Sequence, residues 1–268
     1  MIFRTALLFG VLTAIFLSIG LFFGGTGGMF IALIFSIVVN FFSYWFSDKI
    51  VLMMYRAKPV KNKDAPDLHS MLKELSVKAG IPKPGLYLVE MDIPNAFATG
   101  RSPKHSAVVV TRGLLAALNT DEIKGVIAHE ITHIKHRDTL LSTMAASVAG
   151  ALTWLGYLFF FSDERNRNFF SYLILFIAAP LAAMLVRLAI SRNREFFADR
   201  GGAEISDPLE LASALEKISS SGKSLNTKPS TAHMFIVNPF SAGNVASLFS
   251  THPPINERVA RLRNMAMR

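Results

Sequence analysis

The chain has 268 residues, 51% of them apolar, and a mean hydropathy of +0.38, which is too hydrophobic for an ordinary soluble protein of this size. The net charge of +9 suits nucleic acid or anionic lipid, but most basic residues lie beside apolar segments, so we expect a lipid bilayer and no nucleic acid as partner. Cysteine is absent, which excludes thiol catalysis and thiolate metal sites and leaves histidine and carboxylate as the strong metal ligands.

Four uncharged apolar stretches, of about 18 to 24 residues each, are long enough to cross a membrane as helices. They occupy residues 5–23, 29–46, 139–162 and 168–186. A glycine-rich turn at 24–28 joins the first two, which predicts a retained hairpin rather than a cleaved signal peptide. For the last two stretches, the alternative is a buried helical hairpin inside a soluble domain.

Basic residues beside these stretches predict the orientation of the chain. Most of them, including Arg56, Lys135 and Arg187, would lie on one side, whereas Arg165 and Arg167 would lie on the other. Both termini are therefore expected in the cytoplasm. We expect a membrane hairpin at 1–46, the first part of a cytoplasmic domain at 47–138, a second membrane hairpin at 139–186 and the second part of the domain at 187–268. Because the second hairpin returns the chain to the same face, both parts should form one domain.

The patterns of the first hydrophilic segment predict two helices with two short strands between them. A helix is expected at 67–79, and strands are expected at 86–91 and 107–110. Another helix should begin near Asn119, since Asn119 and Glu122 have the spacing of a capping box and isoleucines recur at helical spacing from residue 123 to residue 134.

The strongest chemical signal lies on that helix, as the sequence His129-Glu130-Ile131-Thr132-His133. Residues four apart share a helix face, so both imidazoles can converge on one Zn²⁺ while Glu130 activates the attacking water. This predicts one zinc ion per chain. The alternative is a pair of surface histidines on an amphipathic helix.

A catalytic zinc needs a third protein ligand and one open coordination position. The extended motif with a third histidine six residues after the second is excluded, because that position is Thr139. His136 shares the helix face, but three side chains of one straight helix cannot easily surround an ion, so we expect His136 beside the ligands or at an interface.

Glu195 is the better candidate for the third ligand. Asp199, four residues later on the same face, can accept a hydrogen bond from the free ring nitrogen of a ligand histidine. His133 precedes the third apolar stretch and Glu195 follows the fourth by only a few residues, so both should lie at similar depth outside the membrane. The alternative is an exposed acidic pair on a helix next to the membrane.

Several sequence segments together carry a resemblance to a known family. They are the paired N-terminal spans and residues 94–100, 110–115, 129–133, 191–199 and 250–254, the last leading to Arg258. With them the chain resembles the HtpX-type membrane zinc metalloproteases, relatives of the CAAX prenyl proteases in the gluzincin group, over nearly its whole length. The resemblance implies a mainly α membrane protein with four transmembrane helices and a split α+β zincin-like cytoplasmic protease domain.

The resemblance also implies a function and a set of site residues. It implies ATP-independent cleavage of misfolded or damaged membrane proteins in the bacterial cytoplasmic (inner) membrane, as a stress response and part of envelope quality control. The family pattern places zinc on His129, His133 and Glu195. It also implies an edge strand that pairs with an extended substrate backbone, formed by Asn95, Ala96, Phe97 and Ala98.

Two further segments have ordinary alternatives. His252 matches a family histidine expected near the substrate carbonyl, where it could stabilise an oxyanion, but a His-Pro-Pro sequence is also a common helix start. Residues 222–224 look like the end of a phosphate-binding loop, yet position 217 is lysine where that motif requires glycine, so we predict no nucleotide site.

Two other functions stay open at this point. One is a non-enzymatic zinc sensor or scaffold, which would not need Glu130, since structural zinc sites usually fill all four positions with protein groups. The other is prenyl-peptide processing, which calls for a larger intramembrane chamber than four spans readily provide.

Overall fold

A computed structural model describes residues 2–140, 142–144, 192–221 and 253–267. The described chain is mostly helical, with one small sheet. Its elements are α1 (Ile2–Met54), β1 (Lys58–Pro59), α2 (Pro66–Ala79), β2 (Gly85–Val89), β3 (Ala96–Ser102), β4 (His105–Thr111), α3 (Arg112–Ala117), α4 (Thr120–Lys135), α5 (Arg192–Ile205), α6 (Pro208–Ser221) and α7 (Ile255–Ala266). The predicted span at 168–186, most of the span at 139–162, and His252 lie outside the described residues.

The N-terminal helix α1 consists of two apolar arms that fold back on each other. The chain turns at residues 24 and 25, where Gly25 has φ +56°, a value that favours glycine. Asn40 Nδ2 donates to Thr13 Oγ1 at 3.1 Å, and the rings of Phe16 and Phe35 lie 5.3 Å apart. Because later residues of the second arm meet earlier residues of the first, the two arms are antiparallel.

The second arm of α1 is the part that suits a membrane. Among the described residues, only Gly24–Met54 forms a helix that is both long enough and apolar enough to span a bilayer, while the apolar helix Phe9–Phe22 is shorter. Large apolar side chains on these arms, such as Phe22 and Ile31, are exposed. This is the pattern expected of a surface that faces lipid rather than water.

The sheet has four strands in the order β1-β2-β4-β3. Strands β1 and β3 are antiparallel to their neighbours, whereas β2 and β4 are parallel. The predicted strands at 86–91 and 107–110 correspond to β2 and β4. Strand β3 lies at the edge of the sheet, so one side of its backbone has no strand neighbour among the residues that the structure describes.

Both faces of the sheet are covered, as the run of buried valines in β4 requires. Val108 and Val110 pack into the main core with residues of α2, α4, α6 and α7. Val109 points to the opposite face, where it packs with Val51 of α1 and with Phe97. The end of the apolar hairpin is therefore joined directly to the sheet.

Helix α4 begins as its sequence predicts. The side chain of Asn119 accepts from the backbone N–H of Glu122, and the Glu122 carboxylate accepts from the backbone N–H of Asn119, which confirms the capping box. Glu122 is buried and also accepts from Ser213 Oγ (2.6 Å) and Lys217 Nζ (2.7 Å) of α6. The start of α4 is thus held by α6 as well as by its own cap.

Candidate metal centre

Helix α4 presents two histidines on one face, one turn apart. The opposite side of the helix is held in the core by Ile127 and Ile131, both fully buried, so the rotation of α4 about its axis is fixed. The Nε2 atoms of His129 and His133 face each other at 3.1 Å. The spacing of four residues therefore produces the convergent pair of imidazoles.

Helix α5 brings a carboxylate to this pair. Glu195 lies in its first turn, with Oε1 3.5 Å from Nε2 of His133 and Oε2 3.7 Å from Nε2 of His129. One ligand atom from each of the three residues lies within 4.8 Å of the others. Neighbouring ligand atoms around a tetrahedral ion with bonds of about 2.0 to 2.1 Å are about 3.3 Å apart, so the two nitrogens and the carboxylate fit one such ion.

A close approach of α4 and α5 makes this meeting possible. A Cβ atom added to Gly202 of α5 would lie 2.9 Å from the backbone nitrogen of His129, closer than Cβ atoms come to other heavy atoms without a shift. Gly201 lies against Thr132 in the same way. The paired glycines let the two backbones come together, and α5 can then place Glu195 against the histidines.

Each histidine has a carboxylate and an arginine behind it. His129 Nδ1 lies 3.0 Å from Asp199 Oδ1, and the fully buried Arg258 donates two hydrogen bonds to Asp199, at 2.6 and 2.8 Å. Burial raises the pKa of Asp199, but the charge and hydrogen bonds of Arg258, with a smaller contribution from His129, lower it to about 2. Asp199 is therefore ionised and can hold the ring of His129.

The second histidine has a comparable pair on its other side. His133 Nδ1 lies 3.4 Å from Asp138 Oδ2, and Arg194 donates to Asp138 Oδ1 at 3.0 Å. Burial lowers the pKa of His133, but its hydrogen bond to Asp138 and the charges of Glu195 and Glu130 raise it to about 9. The surroundings of His133 thus favour a positive charge at this point.

Glu130 lies beside the three converging side chains and is buried with them. Burial raises the pKa of Glu130, and the charge of Glu195 acts in the same direction, whereas the two histidines lower it. The backbone N–H of Ala98 in β3 donates to its carboxylate. Glu130 therefore has an elevated pKa and a fixed position against the edge strand.

The outer edge of β3 passes directly along this cluster. Backbone groups of Asn95 bond inward to Thr111, whereas those of Gly100 bond outward, with Thr143 Oγ1 and Thr139 Oγ1. By the alternation of a strand, the backbone groups of Ala96 and Ala98 face the same outward side as Gly100. The predicted substrate-binding residues Asn95, Ala96, Phe97 and Ala98 are all buried in this conformation.

Comparisons with known proteins identify the family of this chain. Residues 62–266 match the peptidase family M48. The chain is 51% identical to the protease HtpX homolog of Persephonella marina, which covers 99% of this chain and 97% of that protein. It is 50% identical to the protease HtpX homolog of Pyrococcus furiosus, in an alignment that covers 98% of this chain and 96% of that protein. The crystal structure of S. mikatae Ste24p has a similar fold, with a TM-score of 0.54 at 18% identity over 94% of this chain and 62% of that one.

The chain belongs to peptidase family M48. It is therefore an enzyme, a membrane metalloprotease of the HtpX type, as its sequence segments predict. Membership in the family implies a catalytic metal, and His129, His133 and Glu195 are a group that could hold one. The alternative of a non-enzymatic sensor or scaffold is wrong for this M48 protease.

The structure also shows which neighbours of the M48 site the sequence did not suggest. The side chain at Nδ1 of the His133 ring is Asp138, and His136, expected beside the ligands or at an interface, is exposed at the C-terminal end of α4. No sequence pattern indicated that Arg194 or Arg258 would contact these carboxylates. A carboxylate directly before an apolar stretch is a signal that could have drawn attention to Asp138, because a charge at a membrane boundary needs a partner.

Proposed function

We propose that this membrane metalloprotease is a zinc-dependent endopeptidase that cleaves unfolded or damaged membrane proteins without ATP. The observation that supports it most directly is the convergence of His129, His133 and Glu195, with Glu130 beside them and the edge of β3 next to Glu130. Two imidazoles and one carboxylate are a donor set of catalytic zinc sites, and they leave a coordination position for water or substrate. One zinc ion per chain is expected.

In the proposed reaction, Glu130 moves the proton. A zinc ion held by His129, His133 and Glu195 would act as a Lewis acid, which would polarise the scissile carbonyl and lower the pKa of water. Glu130 takes a proton from the attacking water and later delivers it to the departing amine, so that the carbon–nitrogen bond breaks and a carboxylate and an amine are released. Burial, which raises the pKa of Glu130, favours its acceptance of a proton.

We propose that main-chain hydrogen bonds along β3 bind the substrate. An extended polypeptide could add to the outer edge of this strand through the backbone groups of Ala96 and the carbonyl of Ala98. Such pairing depends little on side chains, so selection would favour unfolded segments over particular sequences. Because residues 95–98 are buried here, the edge must open before a substrate can pair with it. His252 would then donate to the carbonyl oxygen, as the family resemblance implies.

We further propose that four helices hold the enzyme in the cytoplasmic (inner) membrane, with both termini and the active site on the cytoplasmic side. Two features support a site close to the membrane surface. Val51, at the end of the apolar helix, packs under the sheet, and Thr139 and Thr143, at the start of the third apolar stretch, bond to Gly100 of β3. The division into two hairpins and a split cytoplasmic protease domain follows from this placement.

The experiment uses the purified full-length chain in detergent, with and without a zinc chelator. Unfolded casein should be cleaved, chelation should stop the cleavage, and added ATP should have no effect. A prenylated peptide in parallel tests the alternative of prenyl-peptide processing, and its preferred cleavage would contradict the proposal. Cleavage that continues after all zinc is removed would also contradict it.

Glu130→Gln tests the assigned base. We expect it to keep stoichiometric zinc and to lose about 10²- to 10⁴-fold in cleavage rate, since the amide cannot take a proton from water. Glu216→Gln, the same change at an exposed glutamate of α6, serves as the control and should behave as wild type. A Glu130→Gln enzyme that digests casein at the wild-type rate would remove Glu130 from the mechanism.

A further inference from the structure

Asp138 and Arg194 form an ion pair that includes no candidate ligand and takes no part in the proposed proton transfer, yet it contacts a candidate ligand. Asp138 Oδ2 lies 3.4 Å from the Nδ1 atom of His133, the ring nitrogen that points away from Glu195, and Arg194 holds the other carboxylate oxygen at 3.0 Å. All three side chains are largely shielded, at 13% to 15% exposed. We infer that Asp138 is a positioning residue for His133, and that Arg194 holds Asp138 in place.

An imidazole can ligate a metal only if its ring is turned correctly and its proton is on the other nitrogen. If Nδ1–H of His133 donates to Asp138, Nε2 carries no proton. The lone pair of Nε2 is then directed at Glu195 and His129. Without an acceptor at Asp138, the ring could rotate or carry its proton on Nε2. Either change removes the nitrogen that a metal needs.

The same three-part arrangement occurs at the other histidine. There Asp199 Oδ1 lies 3.0 Å from Nδ1 of His129 and Arg258 donates two hydrogen bonds to Asp199, all within the buried helices of the domain. At His133 the carboxylate comes instead from the segment directly after α4, and the arginine comes from the first turn of α5. A carboxylate paired with an arginine thus lies at Nδ1 of each histidine, and this repetition argues that each pair serves its ring.

The location of the second pair gives it an additional effect. Arg194 directly precedes Glu195, so the ion pair between Arg194 and Asp138 connects the segment that carries the third candidate ligand to the end of the helix that carries the histidines. The pair lies where the chain enters the third apolar stretch and where α5 begins. Loss of the pair should therefore disturb both the ring of His133 and the approach of Glu195.

This inference rests on the proposed metal site, and the test measures metal binding rather than cleavage alone. The dissociation constant for zinc is determined by chelator competition on the full-length chain in detergent, together with the visible absorption spectrum of the cobalt-loaded protein. Asp138→Ala should weaken zinc binding by about 10- to 100-fold, the usual cost of losing an outer partner of a ligand histidine. The cobalt spectrum should change, because the geometry around the ion changes.

Two milder variants keep the test decisive if Asp138→Ala does not fold. Asp138→Asn retains an acceptor oxygen but loses the charge, so its zinc affinity should lie between those of wild type and alanine. Arg194→Lys should restore most of the affinity that Arg194→Gln loses, since a cation again faces Asp138. Arg263→Gln removes an exposed inter-helix pair with Glu216 and should leave zinc affinity and the cobalt spectrum unchanged.

The outcomes separate the two claims. Wild-type zinc affinity and an unchanged cobalt spectrum in folded Asp138→Asn and Arg194→Gln would overturn the role of this pair and leave the metal site intact. A wild-type chain that binds neither zinc nor cobalt tightly would overturn both the metal site and the positioning role.

Discussion

Replacing Gly202 by alanine should separate the candidate ligands without unfolding the protein. The new Cβ would lie 2.9 Å from the backbone nitrogen and 3.0 Å from the Cα of His129. Backbone atoms cannot turn aside as a flexible side chain can. Ordinary contact of about 3.5 to 4.0 Å requires α5 to move away from α4 by about 0.6 to 1 Å at this point.

The movement would be felt at the metal site because Gly202 lies seven residues, or two turns, after Glu195 on the same helix face. The oxygens of Glu195 are now 3.5 and 3.7 Å from the two Nε2 atoms. The same displacement would bring these distances to about 4.1 to 4.7 Å. Two atoms bonded to one zinc at about 2.0 to 2.1 Å cannot be more than about 4.2 Å apart, so a ligand bond should be lost or strongly strained.

The cost in stability should be small by comparison. Alanine gains about 1 kcal/mol over glycine in a helix interior, while overpacking costs about 1 to 3 kcal/mol. The net loss is about 2 kcal/mol or less, so Gly202→Ala should still fold. Its zinc affinity should nevertheless fall by more than the roughly 10- to 100-fold expected for an outer partner, and cleavage should fall with it.

The assay combines thermal unfolding, chelator competition and casein cleavage on one preparation. Gly10→Ala is the control, because a Cβ added at Gly10 in the apolar hairpin has no neighbour within 4 Å. It should leave zinc affinity and cleavage unchanged. Gly202→Ala protein with the zinc affinity and cleavage rate of wild type would refute the claim that the close approach of α4 and α5 sets the geometry of the site.

Two further predictions concern the buried ion pairs that hold the domain together. Burial raises the pKa of Glu122, but hydrogen bonds from Lys217, Ser213 and the backbone of Asn119 lower it below its ordinary value of 4.5. The ionised carboxylate therefore stabilises the folded state at neutral pH. This contribution is lost as the pH falls through the lowered pKa. Glu122→Gln should therefore reduce the free energy of unfolding by about 1 to 3 kcal/mol at pH 7, and by progressively less below pH 4.5. Chemical denaturation measures this free energy, and a difference between variant and wild type that does not change with pH would contradict the prediction. Arg258→Met should cost about 3 to 5 kcal/mol, because Asp199 would remain buried without its cation, and a melting temperature equal to that of wild type would contradict this.

The buried state of the site bears on how the protease is controlled. His129, Glu130 and Glu195 are buried, and so are the residues of β3 that the proposal assigns to substrate. An extended polypeptide cannot reach them in this conformation. In the proposed mode of substrate binding, the outer edge of β3 must therefore become accessible before cleavage, and this requirement would spare folded proteins.

Local features of this protein could be predicted from short sequence patterns. The capping box of Asn119 and Glu122, the register of α4 and the apolar hairpin each depend on groups within a few residues of one another, or on a long uncharged run. The placement of two imidazoles on one face also follows, because it depends only on the pitch of the helix. The segments that carry the family resemblance are also short and continuous, so they can be recognised without a structure.

The contacts between distant segments were decided by the tertiary structure. Gly202 packs against His129 from 73 residues away, and Asp138 meets Arg194 across 56 residues, much of that interval apolar. No periodicity in the sequence encodes such distances, because they result from how whole helices pack on a shared core. The sequence alone therefore indicated which residues could bind a metal and that Asp199 could orient a histidine. The packing of the helices decided that Asp138, Arg194 and Arg258 lie behind them.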